Sequence, residues 1–187
     1  YILIDRLDHG GYGSPDSIGN KDKGQQSNAN ISLGFNLENG ANFQFDRLNY
    51  KVNNKYPYSL SKTQFDLNPA NDSPLKARTH KDADSTTTGL KISYPLTEKL
   101  EVTLDTFDTE KYSQTRYGNA SGYGSWSKND YDYSGNDFTL SYSGDNIKID
   151  SGVKSFKANR KGSSDTLTKN NTGLFSQLQL TRKNTIF

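Results

Sequence analysis

Apolar residues in this chain recur at every second position, and that spacing decides which secondary structure it can form. Ile31, Leu33, Phe35 and Leu37 alternate with Ser32, Gly34 and Asn36, and after Glu38-Asn39-Gly40 the alternation resumes at Phe43 and Phe45. A period of two puts successive side chains on opposite faces of a strand, and a tight turn between two such runs predicts a hairpin. A second hairpin is predicted from Leu90, Ile92 and Tyr94, a turn over Pro95 to Lys99, and Leu100, Val102 and Leu104. A third runs from Phe138, Leu140 and Tyr142 through Ser143-Gly144-Asp145-Asn146 to Ile147, Ile149 and Val153. With Tyr1 to Asp8 as the first strand and Leu174, Leu178 and Leu180 in the last complete one, the pattern predicts eight strands and the start of a ninth at Thr185-Ile186-Phe187. Helical periodicity is absent.

Composition limits what these strands can enclose. Leu, Ile, Val and Phe number 37 of 187 residues while Gly, Ser, Thr and Asn number 72, too little oil for a large conventional core. Disorder is disfavoured by the regular alternation and by 12% aromatic residues. A net charge of +2 with no basic run gives no argument for a nucleic-acid partner. The absence of Cys removes disulfides, thiolate metal sites and Cys nucleophiles. The absence of Met, with Tyr1 at the start, reads as a piece of a processed, exported chain, so that 1–187 is part of one domain.

The connections carry further information. Links of a few residues alternate with long ones, near His9 to Ser27, Asn53 to Asp84, Ser113 to Asp130 and Arg160 to Asn171. In an up-and-down antiparallel sheet every second connection lies at the same end, so one end is trimmed and the other carries loops. Outer-membrane barrels have this asymmetry, with short periplasmic turns and long extracellular loops. Their strands carry one apolar face for lipid and one polar face for the lumen, which suits this low apolar content. The expected fold is therefore an all-β, antiparallel, up-and-down transmembrane β-barrel segment in the bacterial outer membrane. Tyr94 and Tyr142 beside the short turns, and Tyr50, Phe107 and Tyr112 towards the other ends, fall where aromatic girdles would lie. A soluble sandwich whose core holds these aromatics is the alternative.

Several segments resemble the barrel of TonB-dependent outer-membrane receptors. Arg6-Leu7-Asp8-His9-Gly10-Gly11-Tyr12 resembles the pattern at that family's first barrel hairpin, and Asn49-Tyr50 through Tyr56-Pro57-Tyr58-Ser59-Leu60 resembles its third strand running into a Leu-Pro-Gly loop. Gly173-Leu174-Phe175-Ser176-Gln177, followed by Leu178, Leu180 and Thr185-Ile186-Phe187, resembles a Phe-x-Gln strand and its successor. Tyr58 departs from the family's Gly after Pro57. The resemblance implies a plug domain and TonB box, neither in this sequence, ahead of a barrel of about 22 strands, of which 187 residues would be the first third. It implies non-enzymatic active transport of a ferric siderophore, haem or similar scarce nutrient, powered by the TonB complex acting through the plug. Membrane lipid and lipopolysaccharide are further partners. A passive pore, an adhesin barrel and a soluble sugar-binding β-sandwich are the other readings.

No Gly-x-Ser-x-Gly element accompanies the two histidines, so no hydrolase triad is predicted. The most suggestive stretch lies between Arg116 and Lys128. Arg116, Tyr117, Tyr123 and Trp126, spaced by glycines, place a cation and three rings on a pliable backbone, which suits a planar anionic ligand or a glycan. A solvated loop with interfacial aromatics fits the same residues. Arg78 and His80 are secondary ligand-binding candidates, and a haem ligand would lean on His80. His80 beside Lys81, Asp82 and Asp84 is better explained as an exposed polar loop than as a metal site. Asp130-x-Asp132-x-Ser134-Gly135 imitates the start of a calcium loop, but the twelfth position is Ser141, not Glu. No cofactor is expected.

Overall fold

A computed structural model describes residues 1–10, 15–16, 18–19, 21–56, 62–67, 78–119 and 122–181. The strands are β1 (Ile2–His9), β2 (Gly24–Asn36), β3 (Asn42–Tyr56), β4 (Thr79–Thr97), β5 (Leu100–Asn119), β6 (Gly122–Ser143), β7 (Ile147–Gly162) and β8 (Thr166–Leu180). A short helix, α1 (Lys62–Leu67), lies between β3 and β4. The strands form one antiparallel sheet in the order β1 to β8, each pairing with its neighbour in sequence. Among the described residues there is a single sheet, not the two packed layers of a sandwich, and β1 and β8 each have one strand partner. The expected ninth strand at Thr185 to Phe187 lies outside the described residues, as do Gly11, Tyr12 and Pro57 to Leu60.

The three predicted hairpins form. At the β2–β3 turn Leu37 N–H donates to Ala41 O (2.8 Å) and Gly40 N–H to Leu37 O (2.9 Å). Gly40 takes φ of 83°, a left-handed conformation that suits glycine. Strand boundaries depart from the alternation at the opposite end. β5 runs to Asn119 and β6 starts at Gly122, so most of the predicted 113–130 connection is paired strand. Likewise β7 continues to Gly162 and β8 begins at Thr166. Both faces of these extensions are polar, so backbone pairing continues where the apolar signal has stopped.

Residues paired directly across antiparallel strands share a face. The register therefore joins Phe35, Phe43, Ile92, Leu104, Phe138, Val153 and Leu174 into one row across seven strands. The next row is Leu33, Phe45, Leu90, Thr106, Asn136, Ser155 and Thr172; towards the short turns lie Tyr94, Val102, Leu140, Ser151 and Ser176, then Leu100, Tyr142, Ile149 and Leu178. None of these rows holds a charged residue. We call this the front face. The back face at the same height carries Lys91, Asp105, Asp137 and Lys154 in one row, with Lys154 Nζ 2.6 Å from Asp137 Oδ2. Of the aromatics placed at girdle positions, Tyr94, Tyr142 and Tyr112 lie on the front face. Tyr50 and Phe107 fall one residue out of phase and lie on the back.

The front face is apolar, and among the described residues no element covers it. Ala41, Val52 and Ala83 are the buried apolar residues among those described, whereas Leu174 is 85% exposed, Ile4 76% and Phe35 62%. The upper limit of the large apolar residues also slants. It lies at Ile4 in β1 (opposite Ala29), at Ile31 in β2, in the Leu33 row for β3 and β4, and in the Phe35 row from β5 to β8. From Ala29 to Phe35 is six residues, and the lower limit falls similarly, from Phe35 in β2 to Ile147, six residues below Val153 in β7. At about 3.3 Å per residue and about 4.8 Å between strands, the band crosses the strands at a slope of roughly 30–40°.

Glycines on the back face allow close approach. A Cβ on Gly152 would lie 2.1 Å from the Phe138 backbone oxygen, whereas one on Gly135 would meet the Phe107 ring at 2.4 Å. Phe107 thus lies over Gly135, its cross-strand partner, supplying cover that the glycine lacks. Gly152→Ala is expected to destabilise the folded protein by about 1–3 kcal/mol, because backbone must move. Gly135→Ala should cost less, since a ring can rotate away; chemical unfolding of both variants checks the order.

Candidate functional site

The far ends of β4, β5 and β6 gather most of the residues singled out between Arg78 and Lys128. Arg116 pairs with Trp126, and Gly118 pairs with Tyr123, leaving one residue of β5 opposite two of β6. This bulge is what assembles the site. In a regular strand Tyr123 and Trp126, three apart, would point to opposite faces, and the extra residue returns both to the side of Arg116. The Arg116 guanidinium carbon lies 4.7 Å from the Tyr123 ring centre and 5.7 Å from that of Trp126. Its Nε donates to Gly124 O at 2.8 Å, which ties the cation to the bulged backbone.

His80 is Arg116's partner on the β4 side, and its ring centre lies 5.2 Å from that of Trp126 at 58°. His80 Nε2 is 3.3 Å from Asp82 Oδ1 and 3.2 Å from Asn53 Oδ1. Gln114 Nε2 donates to Asp82 Oδ2 at 3.1 Å, and Tyr112 O–H donates to Gln114 Oε1 at 2.7 Å. A polar chain along the front face therefore holds the imidazole, and its Nε2 faces protein groups, not an open ligand position.

Arg78 is 1% exposed, with Nη2 3.7 Å from Asp22 Oδ1, and its backbone N–H donates to Asp16 Oδ2 at 2.8 Å. It clamps the β1–β2 connection onto the start of β4. Burial raises the Tyr123 phenol above its ordinary pKa of 10.0, and the Asp16 carboxylate adds to this. Arg116 and Arg78 oppose it. Tyr123 thus belongs to the same electrostatic unit as both arginines. Tyr117 does not join it: it is the lone β5 residue in the bulge, between the two front-face positions, and is 64% exposed.

The cluster can present aromatic edges and one guanidinium, but that guanidinium is already shared between two rings and a carbonyl. Asp130, Asp132 and Ser134 lie inside β6, extended along one face, so they do not wrap an ion as a calcium loop does. Among the described residues no group of three or more His, Asp or Glu is placed to hold a metal.

A second set of residues escaped the sequence reading. On the back face Tyr131 and Tyr133 stack with ring centres 6.0 Å apart at 16°, and Tyr133 stacks on Phe156 at 6.4 Å and 18°. Lys111 Nζ lies 5.6 Å from the Tyr131 ring centre. The signal was present in the Tyr-x-Tyr-x-Gly spacing of residues 131–135, in phase with the polar face of β6 and out of phase with Phe138.

No protein-family model matches this chain, and neither a curated protein nor a solved structure does. The likeness to TonB-dependent receptors therefore rests on the motifs in the sequence.

Trp126 is the sole tryptophan, so its emission reports the cluster directly. Arg116→Ala removes a cation from two rings and a hydrogen bond from the bulge. It should shift Trp126 emission to longer wavelength as water reaches the indole, with a stability loss of about 1 kcal/mol. Tyr117→Ala should leave the emission unchanged.

Proposed function

We propose that this sheet is part of the wall of an outer-membrane β-barrel, its front face in lipid and its back face towards a polar lumen. The observation that carries the reading is the set of four charge-free rows opposite a back face with charged rows at the same height. Burying a large aliphatic or aromatic side chain contributes about 1.5–3 kcal/mol, so an uncovered apolar face needs an apolar surrounding. Lipid supplies one without a second protein layer. The slope of roughly 30–40° agrees with the strand tilt of about 35–45° in membrane barrels. Among the described residues no helix is long and apolar enough to cross a membrane, so the strands would do the crossing. On this reading the short turns, which the apolar band adjoins, lie on the periplasmic side and the polar extensions at the cell exterior.

The barrel, on this reading, belongs to an uptake receptor that takes a scarce nutrient such as a ferric siderophore or haem, with energy from TonB. This finer part is supported by the motifs at Arg6 to Tyr12, Asn49 to Leu60 and Gly173 to Phe187. A receptor of this kind stops importing its nutrient when the proton-motive force is dissipated, and continued flux would indicate a passive pore instead.

Arginine substitutions test the wall itself. Leu104→Arg or Phe138→Arg should cost about 2–4 kcal/mol in bilayer-embedded protein if placed near the midplane, while Thr103→Arg or Thr139→Arg should cost far less. Equal costs on the two faces, measured by unfolding from lipid vesicles, would remove the lipid assignment.

A further inference from the structure

Above the apolar band the carboxylates, though not the cations, are segregated by face: Arg47, Lys51, Lys128 and Lys157 share the front with them. In β4, β5 and β6 the carboxylates of this region, Asp82, Asp84, Asp108, Glu110, Asp130 and Asp132, all fall on the front face. On the back face, from β2 to β8, no carboxylate occurs beyond the row of Asp46, Phe107 and Phe156, whereas Lys81, Lys111, Arg160 and Lys169 do. Of the other carboxylates on or beside this face, Asp137 is occupied by Lys154 at 2.6 Å and Asp165 by Arg160, while Asp5 of β1 lies in the Lys111 row four strands away. Lys111 has no ion-pair partner among the described residues and rests against the Tyr131 ring.

The rings strengthen this bias. Tyr131, Tyr133 and Phe156 stand nearly parallel, like books on a shelf, with centres only 6.0 and 6.4 Å apart. That separation leaves no room for a ligand ring between them. An aromatic ring is electropositive at its edge, and each phenol carries an O–H donor. Neither hydroxyl of Tyr131 or Tyr133 has a hydrogen-bond partner among the described residues. Together with the Lys111 ammonium, the patch presents donors and positive edges, and the neighbouring polar side chains Thr109, Ser113 and Asn129 are uncharged.

We infer that the back-face patch of Lys111, Tyr131, Tyr133 and Lys169 binds a small anionic ligand through its carboxylate or phosphate oxygens. Lys169 pairs with Ala158, itself the partner of Tyr133, so a cation flanks the phenols on each side. Under the barrel reading, on which this inference rests, the patch lies in the lumen wall near the outer mouth, and an incoming anion would meet it before the charged rows below.

The test uses the whole protein in detergent or nanodiscs, with citrate and inorganic pyrophosphate as probes and uncharged maltotriose as control, followed by titration calorimetry. Saturable binding of at least one anion is expected, weakened about tenfold by Lys111→Gln and by the double change Tyr131→Phe with Tyr133→Phe, and retained in Lys111→Arg. Binding should also weaken with added salt. Citrate alone would assign a carboxylate ligand, and pyrophosphate alone a phosphate. The inference is overturned if neither anion binds, if maltotriose binds equally, or if binding ignores these substitutions. Absence of anion binding with a loss of stability in Lys111→Gln would show that an acidic segment of the protein fills the patch, which also overturns it. Anion binding in solution is independent of lipid contact at Leu104 and Phe138, so failure here is distinguishable from failure of the barrel reading.

Discussion

The register of the backbone ladder is the constraint on which the rest of this structure depends. Side chains alternate strictly along each strand, so a slip of one residue between any two neighbours would send Lys91 or Asp105 to the front face and Ile92 or Leu104 to the back. Apart from the shifts at Pro95/Thr97 and Arg116/Gly118, seven successive pairings keep phase, and the result is a sheet with its oil on one face. Among the described residues the buried apolar ones are Ala41, Val52 and Ala83, while the large apolar side chains stand in rows that none of the described elements covers. Such a sheet does not gain stability from a conventional core. Its strength comes from the hydrogen-bond ladder and from whatever the front face contacts.

The same ladder extends well past the apolar band. β5 and β6 contain 20 and 22 residues, roughly twice what a tilted strand needs to cross a bilayer. In the upper half both faces are polar and the differences between them become chemical. The front carries carboxylates and cations together with the His80 chain and the cluster of Arg116, Tyr123 and Trp126, while the back from β2 to β8 carries cations without carboxylates and stacked phenols. A bulge at the end of the β5–β6 hairpin turns an aromatic-rich stretch into a built cluster, and it also explains why Arg116 is occupied within the protein.

Much of the fold was legible because apolar residues report phase. Phe35, Phe43, Leu104 and Phe138 could be assigned to strands, and hairpins drawn between them, from spacing and from Glu38-Asn39-Gly40 alone. The upper halves were not legible for the converse reason: Asp130 and Asp132 flank Tyr131, whose phase is opposite to that of Phe138, and no aliphatic residue marks a face there, so paired strand looks like loop. The site was legible only in composition. That Tyr123 and Trp126 share a side required the bulge, that Tyr117 does not join them followed from the same bulge, and that Arg78 is buried required its contacts with Asp16 and Asp22. The phenol stack was missed because Tyr131 and Tyr133 sit on the polar face, away from the apolar rows that guided the strand assignment.

The central claim, that the front face meets lipid over a limited height, can be measured residue by residue because the chain contains no cysteine to remove. Single cysteines from Leu100 to Asn119, each carrying a nitroxide in the bilayer-embedded protein, would report collisions with oxygen dissolved in lipid and with a water-soluble nickel chelate. Oxygen contact should alternate with period two from Leu100 to Thr106, highest at the even positions. From Asp108 onward it should give way to nickel contact on both faces. Uniform nickel contact along the whole of β5, or an oxygen maximum at the odd positions Thr103 and Asp105, would contradict the account.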